Sequence, residues 1–296
     1  MNDASLILVT RPVQLADDGS SGQDGFVVAD PQSSQLRVLD LGATRGDGIF
    51  ETVSVTGGQA HALEPHLARF AYSAKLLDLP APDLDVWRKA VAAAIAIHPP
   101  VPEMFLKLVL TRGIEGGEVP TAWVYGEESG DFTAARTEGI RVVTLDRGYR
   151  HDIAKTSPWL LQGAKTLSYA VNRSAIREAN RRGADDVVFV SSDGFLLEGP
   201  SSTLVLQNGN RIRTPQTDQG ILAGTTQASA FEFFEAEGFE TSFEMIPLEE
   251  LASADAAWLL SSVRQAAPVR SANGLAMSVD PDLTGRLNNH LLSSPN

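Results

Sequence analysis

The stretch 163–226 constrains this chain more than any other. It reads Gly163-Ala164-Lys165-Thr166-Leu167-Ser168-Tyr169, then a helical pattern, then two hairpins, then Leu222-Ala223-Gly224-Thr225-Thr226 opening a second helix. The first helical pattern puts Leu167, Ala170, Val171, Ser174, Ala175 and Ala179 on one small apolar face, and Gly183 ends it. Asp193-Gly194 turns one hairpin, between a strand at 186–190 and a return at 195–197. Asn208-Gly209 turns the next, between 202–206 and 211–213. Residues 225–238 form an amphipathic helix, 256–263 a last strand and 280–292 a last helix.

Upstream the pattern is looser. Residues 1–35 are poorly patterned, with a candidate strand at 5–10 and a flexible loop at 17–24. Residues 35–41 alternate and lead into Gly46-Asp47-Gly48-Ile49-Phe50-Glu51, whose glycines allow a tight backbone. Residues 51–56 alternate again, and Gly57-Gly58 turns them back as a hairpin. A helix from Pro65 to about residue 79 aligns Leu67, Phe70, Ala71, Ala74 and Leu77, with Arg69 and Ser73 beside that stripe. A second helix at 83–97 precedes strands at 104–111 and 122–125, with a loop at 112–117 between them. A strand at 141–145 and an irregular excursion at 146–158 follow. Blocks of strands and helices predict an α+β first domain at 1–126, a linker at 127–139 and a larger α/β domain at 140–296.

Composition narrows the chemistry. A chain of 296 residues, 43% hydrophobic, buries a core large enough for two domains. A net charge of −13 argues against nucleic acid and anionic membrane surfaces as partners. The absence of cysteine excludes disulfides and thiolate metal sites and fits a reducing cytoplasm. No apolar run is long enough to span a bilayer and no basic-then-apolar leader is present, so a cytoplasmic protein is expected. His61, His66, His98, His151 and His290 are never paired at metal-ligand spacing, so no metal site is expected.

Three features of the central stretch point to one kind of ligand. Lys165 stands before a helix, with Thr166 and Ser168 as plausible caps; a helix N-terminus and partial burial both lower an ammonium pKa and free the amine to attack a carbonyl. An ordinary surface lysine would look the same in isolation. Glu198 leaves an apolar strand beside Gly199-Pro200, where a carboxylate is either an exposed strand end or the partner of a buried cation such as a pyridinium nitrogen. Gly224-Thr225-Thr226 opens a helix with exposed amides and two hydroxyls, which suits a phosphate, although a simple N-cap needs no more. Arg69 would add a charge-assisted pair to that phosphate unless it belongs to a solvated helix face. An amine-reactive aldehyde, an aromatic nitrogen and a phosphate together describe pyridoxal 5'-phosphate (PLP).

The same residues resemble the class IV, fold-type IV, PLP enzymes: branched-chain and D-amino acid aminotransferases, (R)-amine transaminases and 4-amino-4-deoxychorismate lyases. Gly46-Asp47-Gly48-Ile49-Phe50-Glu51 looks like the family's first signature, and His66-Leu67-Ala68-Arg69 like its phosphate-arginine helix. Lys165-Thr166-Leu167-Ser168-Tyr169 looks like the catalytic lysine segment. Leu197-Glu198-Gly199-Pro200-Ser201-Ser202-Thr203 looks like the pyridine-nitrogen glutamate segment, and Leu222-Ala223-Gly224-Thr225-Thr226 like the ring-face leucine and phosphate turn. The resemblance covers about residues 35–269. It implies an α/β fold, with a small α+β N-terminal domain and a larger α/β pseudo-barrel domain, in a homodimer with PLP between the domains. It implies Lys165 as the catalytic residue, and Arg69, Lys165, Tyr169, Glu198, Ser201, Ser202, Leu222, Gly224, Thr225 and Thr226 as cofactor-binding. Substrate carboxylates in the family often meet a late backbone turn, which the resemblance places at Leu260-Ser261-Ser262-Val263; Phe50, Arg112, Ser262, Val263 and Arg264 are the candidate substrate-binding residues.

Departures from the pattern bear on substrate. Thr111-Arg112-Gly113 is followed by Ile114-Glu115-Gly116-Gly117, without the further Arg many members carry. Thr203 stands where many have Asn, Gln227 where many have Arg, and Phe50 where some D-specific members have Tyr. Arg264, then Arg112, are the candidate replacement cations. The run 165–172 with 198–202 looks closest to actinobacterial 4-amino-4-deoxychorismate lyases. That ranks elimination of pyruvate to give 4-aminobenzoate, a step of folate biosynthesis, ahead of transamination of branched-chain or D-amino acids or R-amines.

Overall fold

The computed structural model describes residues 4–14 and 24–293. Most of the loop expected at 17–24 lies outside the described residues. The chain divides into two compact units. One holds the described residues up to Gly130 together with Ala164–Tyr169; the other holds Asp131–Gly163 and the described residues from Ala170 onward.

In the first unit the strands are β1 Ala4–Val9, β2 Phe26–Val28, β3 Gly48–Thr56, β4 Gln59–Ala60, β5 Glu103–Thr111 and β6 Thr121–Glu128. They form an antiparallel sheet in the order β2-β1-β6-β5-β3-β4. The helices are α1 Leu41–Arg45, α2 Leu63–Leu76 and α3 Leu84–Ile97. Asp83 caps α3 by accepting from the Asp85 and Val86 N–H groups. Leu67, Phe70 and Ala74 of α2 and Trp87, Ala90 and Ala94 of α3 have no exposed surface, and the Phe70 and Trp87 rings meet edge-on at 4.8 Å. Gly57 and Gly58 take positive φ in the turn from β3 to β4.

In the second unit the helices are α4 Thr133–Thr137, α5 Ile153–Thr156, α6 Ala170–Arg181, α7 Thr225–Ala236 and α8 Pro281–Ser293. The strands are β7 Ile140–Asp146, β8 Asp186–Val190, β9 Thr203–Asn208, β10 Arg211–Pro215, β11 Glu240–Glu244, β12 Ala256–Ser261, β13 Gln265–Ala272 and β14 Leu275–Ala276. Their mixed sheet runs β11-β10-β9-β12-β13-β7-β8, with β14 on β13. Ala230, Phe231, Phe233 and Phe234 of α7 and Leu283, Leu287 and Leu291 of α8 pack on Val205, Ile212 and Trp258. Trp258 is wholly buried, and its indole N–H is satisfied by the Thr284 hydroxyl at 2.8 Å. Asn288 clasps β13 by accepting from the Ala266 N–H and donating to its carbonyl, both at 2.9 Å. Ala175 and Ala179 of α6 pack on Val143, Val187, Phe189 and Leu197. No described helix is long and apolar enough to cross a membrane.

Several expectations are corrected. Lys165 does not precede a helix directly: α6 begins at Ala170, and Thr166 pairs with Ile49 as an isolated β-bridge. Thr166 and Ser168 are therefore not caps, Leu167 is not on the helix face, and Val171 is 61% exposed. The alternating run at 35–41 forms no strand, and α1 starts at Leu41 with the Asp40 side chain accepting from the Gly42 N–H. The excursion at 146–158 contains α5. Residues 195–197 return beside β8 as expected, through the Val190–Leu196 bridge and the backbone bonds from the Leu197 N–H to the Phe189 carbonyl at 2.9 Å and from the Ser191 N–H to the Phe195 carbonyl at 2.8 Å, without forming a regular strand. The strand expected at 256–263 ends at Ser261, and β11 and β13 had no counterpart. Pro268 obscures β13; it sits beside a register shift between Val269 and Ser271 against β7, where a missing N–H is tolerated.

Two glycines separate conformational strain from steric overlap. Gly113 has φ +88° and a Cβ there would overlap the Val119 carbonyl oxygen, whereas Gly57 has φ +57° and open space. Gly113→Ala is expected to cost about 3 kcal/mol and Gly57→Ala about 1 kcal/mol. Thermal melting of the two variants checks the order: equal losses of Tm would show that the overlap is relieved without cost.

Candidate active site

The sequence-predicted residues fall into two groups, one in each unit. In the first unit the segment carrying Lys165 lies against the N-terminal half of β3. The Phe50 N–H donates to the Lys165 carbonyl at 3.0 Å and the Leu167 N–H to the Gly48 carbonyl at 2.8 Å. The buried Ser73 hydroxyl of α2 accepts from the Lys165 N–H at 3.1 Å. These bonds fix the lysine backbone as extended chain, so its placement comes from a strand edge. Gly48 is required there, because a Cβ would stand 2.8 Å from Leu167 Cδ1 and 2.7 Å from the Leu110 carbonyl oxygen. The Lys165 Nζ lies 4.6 Å from the centre of the Phe50 ring, and the Tyr169 ring meets the same ring edge-on at 5.4 Å. Phe50, Lys165 and Tyr169 are thus brought together.

Behind β3 lies a group only partly anticipated. Glu51 is fully buried; Arg69 donates to it through Nε and Nη2, both at 2.7 Å, and His66 Nδ1 lies 2.7 Å from Oε2. Burial pushes the Glu51 carboxyl up, but the Arg69 charge and the hydrogen bonds from Arg69 and His66 outweigh it and hold it down to about 2. Burial depresses His66 against the opposing pull of Glu51, towards which its Nδ1 is turned. The signal for Glu51 was in the alternation: it shares the buried parity of β3 with Ile49, Val53 and Val55, where an unpaired acid would be prohibitive. Arg112 is engaged by Asp47 at 2.7 and 3.2 Å and by the Leu77 carbonyl at 2.6 Å.

In the second unit the partly exposed Glu198 follows the buried Leu197, and its Oε2 accepts from the Leu222 N–H at 3.1 Å. The acid and the expected ring-face leucine therefore meet. Tyr149 lies near this acid; burial raises its hydroxyl above the ordinary value, Arg147 pulls it down and the Glu198 charge raises it further. Gly199 folds back on Ser202, whose carbonyl accepts from the Gly199 N–H at 2.8 Å. Ser202 Oγ is buried without a partner among the described residues, and Ser201 is exposed. No side chain caps α7, whose N-cap is Gly224; Thr225 is buried, and Thr226 Oγ1 lies 3.4 Å from Ser262 Oγ. A Cβ at Gly224 would overlap the Thr203 hydroxyl, so glycine is needed at that helix start. Ser262, Val263 and Arg264 form the turn between β12 and β13, and the Arg264 guanidinium bonds to the buried Asp186 at 2.7 Å. Sequence reasoning missed Asp186, Gln265 and Arg136, which hold this turn.

These residues fit PLP. An uncapped start of a 12-residue helix offers N–H groups to a phosphate, and the unpartnered Ser202 hydroxyl marks a buried polar place beside the Glu198 segment. The Glu198 carboxylate would suit a protonated ring nitrogen, and the Lys165 amine would suit an aldehyde.

The pH dependence of the Glu51 cluster is testable. A depressed carboxylate stabilises the fold fully above its unfolded value and loses that contribution as pH falls through the folded value, here from 4.5 towards about 2. Glu51→Gln is expected to lower stability by about 3 kcal/mol at pH 7, with the gap from the parent protein closing as pH drops below 4.5. Urea unfolding at pH 7, 4 and 3 measures it; a gap that does not change with pH would contradict an ionised Glu51.

Comparison with known proteins identifies the family. Residues 48–272 match the amino-transferase class IV family. A bifunctional aminodeoxychorismate lyase / D-amino acid transaminase of Mycobacterium tuberculosis is 41% identical over 268 residues, covering 87% of this chain and 92% of its own. The structure of a fold IV-transaminase from Curtobacterium pusillum is 56% identical with a TM-score of 0.94, covering 98% of this chain and 99% of its own. The PLP-bound form of a hypothetical aminotransferase from M. tuberculosis is 38% identical with a TM-score of 0.89, covering 99% of this chain and all of its own (100%). The chain belongs to the amino-transferase class IV family and is an enzyme whose cofactor is PLP.

Proposed function

We propose that this enzyme is a 4-amino-4-deoxychorismate lyase that also transaminates D-amino acids at the same site, the pair of activities for which the M. tuberculosis relative is named. The observation that carries the reading is the Lys165 amine fixed over the Phe50 ring by a backbone bonded to β3 and α2. When bound, PLP supplies an aldehyde that takes the substrate amine and a ring that draws electrons from the bond to be broken. The Lys165 Nζ removes the proton from the carbon bearing the amine and holds it. Glu198 keeps the proton on the ring nitrogen, and its own orientation is held by the Leu222 N–H. Release of pyruvate and return of the proton to the cofactor side are alternative fates after the same abstraction. One lysine therefore serves both a lyase and an aminotransferase. The enzyme acts as a cytoplasmic homodimer in this reading; sedimentation of the purified protein checks the dimer.

The phosphate is assigned to the start of α7, with Thr225 and Thr226, and to Arg69, whose guanidinium plane is set by Glu51. Tyr169 is assigned to the cofactor's phenolic oxygen, and Ser201 and Ser202 to the cofactor segment. Arg112 and Arg264 have carboxylate partners of their own, so the substrate carboxylate is assigned first to the Ser262–Val263 backbone.

Two assays on one preparation test the function. Aminodeoxychorismate should yield 4-aminobenzoate and pyruvate, and D-amino acids with 2-oxoglutarate should yield the matching keto acids. Lys165→Ala should abolish both, and borohydride should attach the cofactor to Lys165. Glu198→Gln should retain PLP and lower kcat and kcat/KM together, by about 10²-fold. No 4-aminobenzoate alongside brisk transamination would reduce the reading to an aminotransferase.

Arg69→Ala tests cofactor capture. The lost charge-assisted contact should raise the PLP Kd by about ten- to a hundredfold, and because the change also leaves the buried Glu51 without its cation, stability and kcat should fall with it. An unaltered Kd would leave Arg69 as the structural partner of Glu51 alone.

A further inference from the structure

We infer that Arg136 of α4 is a positioning residue for substrate carboxylate, acting by fixing the peptide planes of the Ser262-Val263-Arg264 turn. The inference rests on the functional reading above for the identity of the ligand. Arg136 donates through Nε to the Arg264 carbonyl at 3.1 Å and through Nη2 to the Val263 carbonyl at 3.0 Å. One guanidinium thus spans two successive carbonyls and holds both on its own side. Gln265, buried at φ +63°, donates through Nε2 to the Ser262 carbonyl at 2.6 Å. Three consecutive carbonyls are therefore tied down by two side chains.

In a trans peptide the N–H opposes the C=O, and among the described residues every peptide bond is trans. Fixing the Ser262 and Val263 carbonyls therefore aims the Val263 and Arg264 N–H groups the other way. Among the described residues neither of those N–H groups donates to a protein acceptor. Two successive N–H groups left unspent beside a left-handed residue, here Gln265, are the kind of backbone arrangement that receives an anion. The turn lies close to the start of α7, where Ser262 Oγ stands 3.4 Å from Thr226 Oγ1. The Arg264 side chain is drawn aside to Asp186, which leaves recognition to the backbone amides. A planar fork is the group that aligns two adjacent carbonyls at once; a lysine ammonium, a point donor, cannot fix both planes.

Binding of two amines to the PLP-loaded protein tests this, each followed through the cofactor absorbance. 2-Methylalanine carries a carboxylate and has no proton to lose from the reacting carbon; isopropylamine has the same skeleton without the carboxylate. Arg136→Ala is expected to weaken 2-methylalanine about tenfold and to leave isopropylamine unchanged, with KM for D-amino acids raised and kcat nearly kept. Arg136→Lys should show a smaller loss confined to the carboxylated amine, and it decides the matter should the alanine variant fail to fold. Equal losses for both amines, or none for either, overturn the inference and make Arg136 a support of the fold. Failure of both amines to alter the spectrum of the parent protein would instead overturn the functional reading on which the inference rests.

Discussion

A carboxylate with no exposed surface must be answered by positive charge and hydrogen bonds within reach, and Glu51 imposes that condition on the first unit. Arg69 and His66, three residues apart on α2, meet the demand from one helix face. The pairing does more than neutralise a charge. It locks the register of α2 on β3 at the place where the strand's other parity carries Phe50. The same stretch of β3 takes the Lys165 segment through two backbone bonds, and Ser73, one helical turn after Arg69, takes a third. A buried ion pair is weak evidence for stability on its own. Here its consequence is geometric: it fixes the strand and helix that between them hold the lysine backbone.

The second unit solves a comparable problem with backbone groups. Glu198 is oriented by a peptide N–H, the helix start of α7 has a glycine N-cap where a bulkier residue would strike Thr203, and the 262–264 turn is held by its carbonyls. Peptide groups are spaced by covalent geometry, so they hold position with less loss of side-chain entropy than long charged chains. The Arg264 guanidinium, the cation nearest to that turn in sequence, is drawn to Asp186.

Much of this was legible in the sequence because it depends on local chemistry. Turns at Gly57-Gly58 and Asn208-Gly209, the apolar stripe of α2 and the helix α3 follow from φ preferences and periodicity, which act over a few residues. Lys165 was misread for a definite reason. Thr166 and Ser168 look like caps, and only the long-range bridge to Ile49 makes the segment extended. β13 was obscured by Pro268 and by the polar Gln265 and Arg270, and its evidence lies in β12 and β7 on either side. Glu51, Asp186 and Arg136 escaped because a buried ion or a carbonyl clamp is a property of two distant segments. Of the three, Glu51 alone left a local trace, as an acid on the buried parity of a strand.

The division of labour has a consequence for how such a site diversifies. The lysine, its strand and the buried acid behind it are bound by paired backbone and a charge cluster, so a substitution there disturbs several contacts together. The 262–264 turn is a three-residue link between two buried strands, and its side chains are only partly buried. Its Val263 side chain can change without altering the carbonyls that Arg136 and Gln265 hold. On the inference drawn for Arg136, substrate shape can drift at that turn while the direction of its amides, and with it the preference for a carboxylate, persists. A lyase and an aminotransferase can thus share the lysine and acid and differ in what the turn admits.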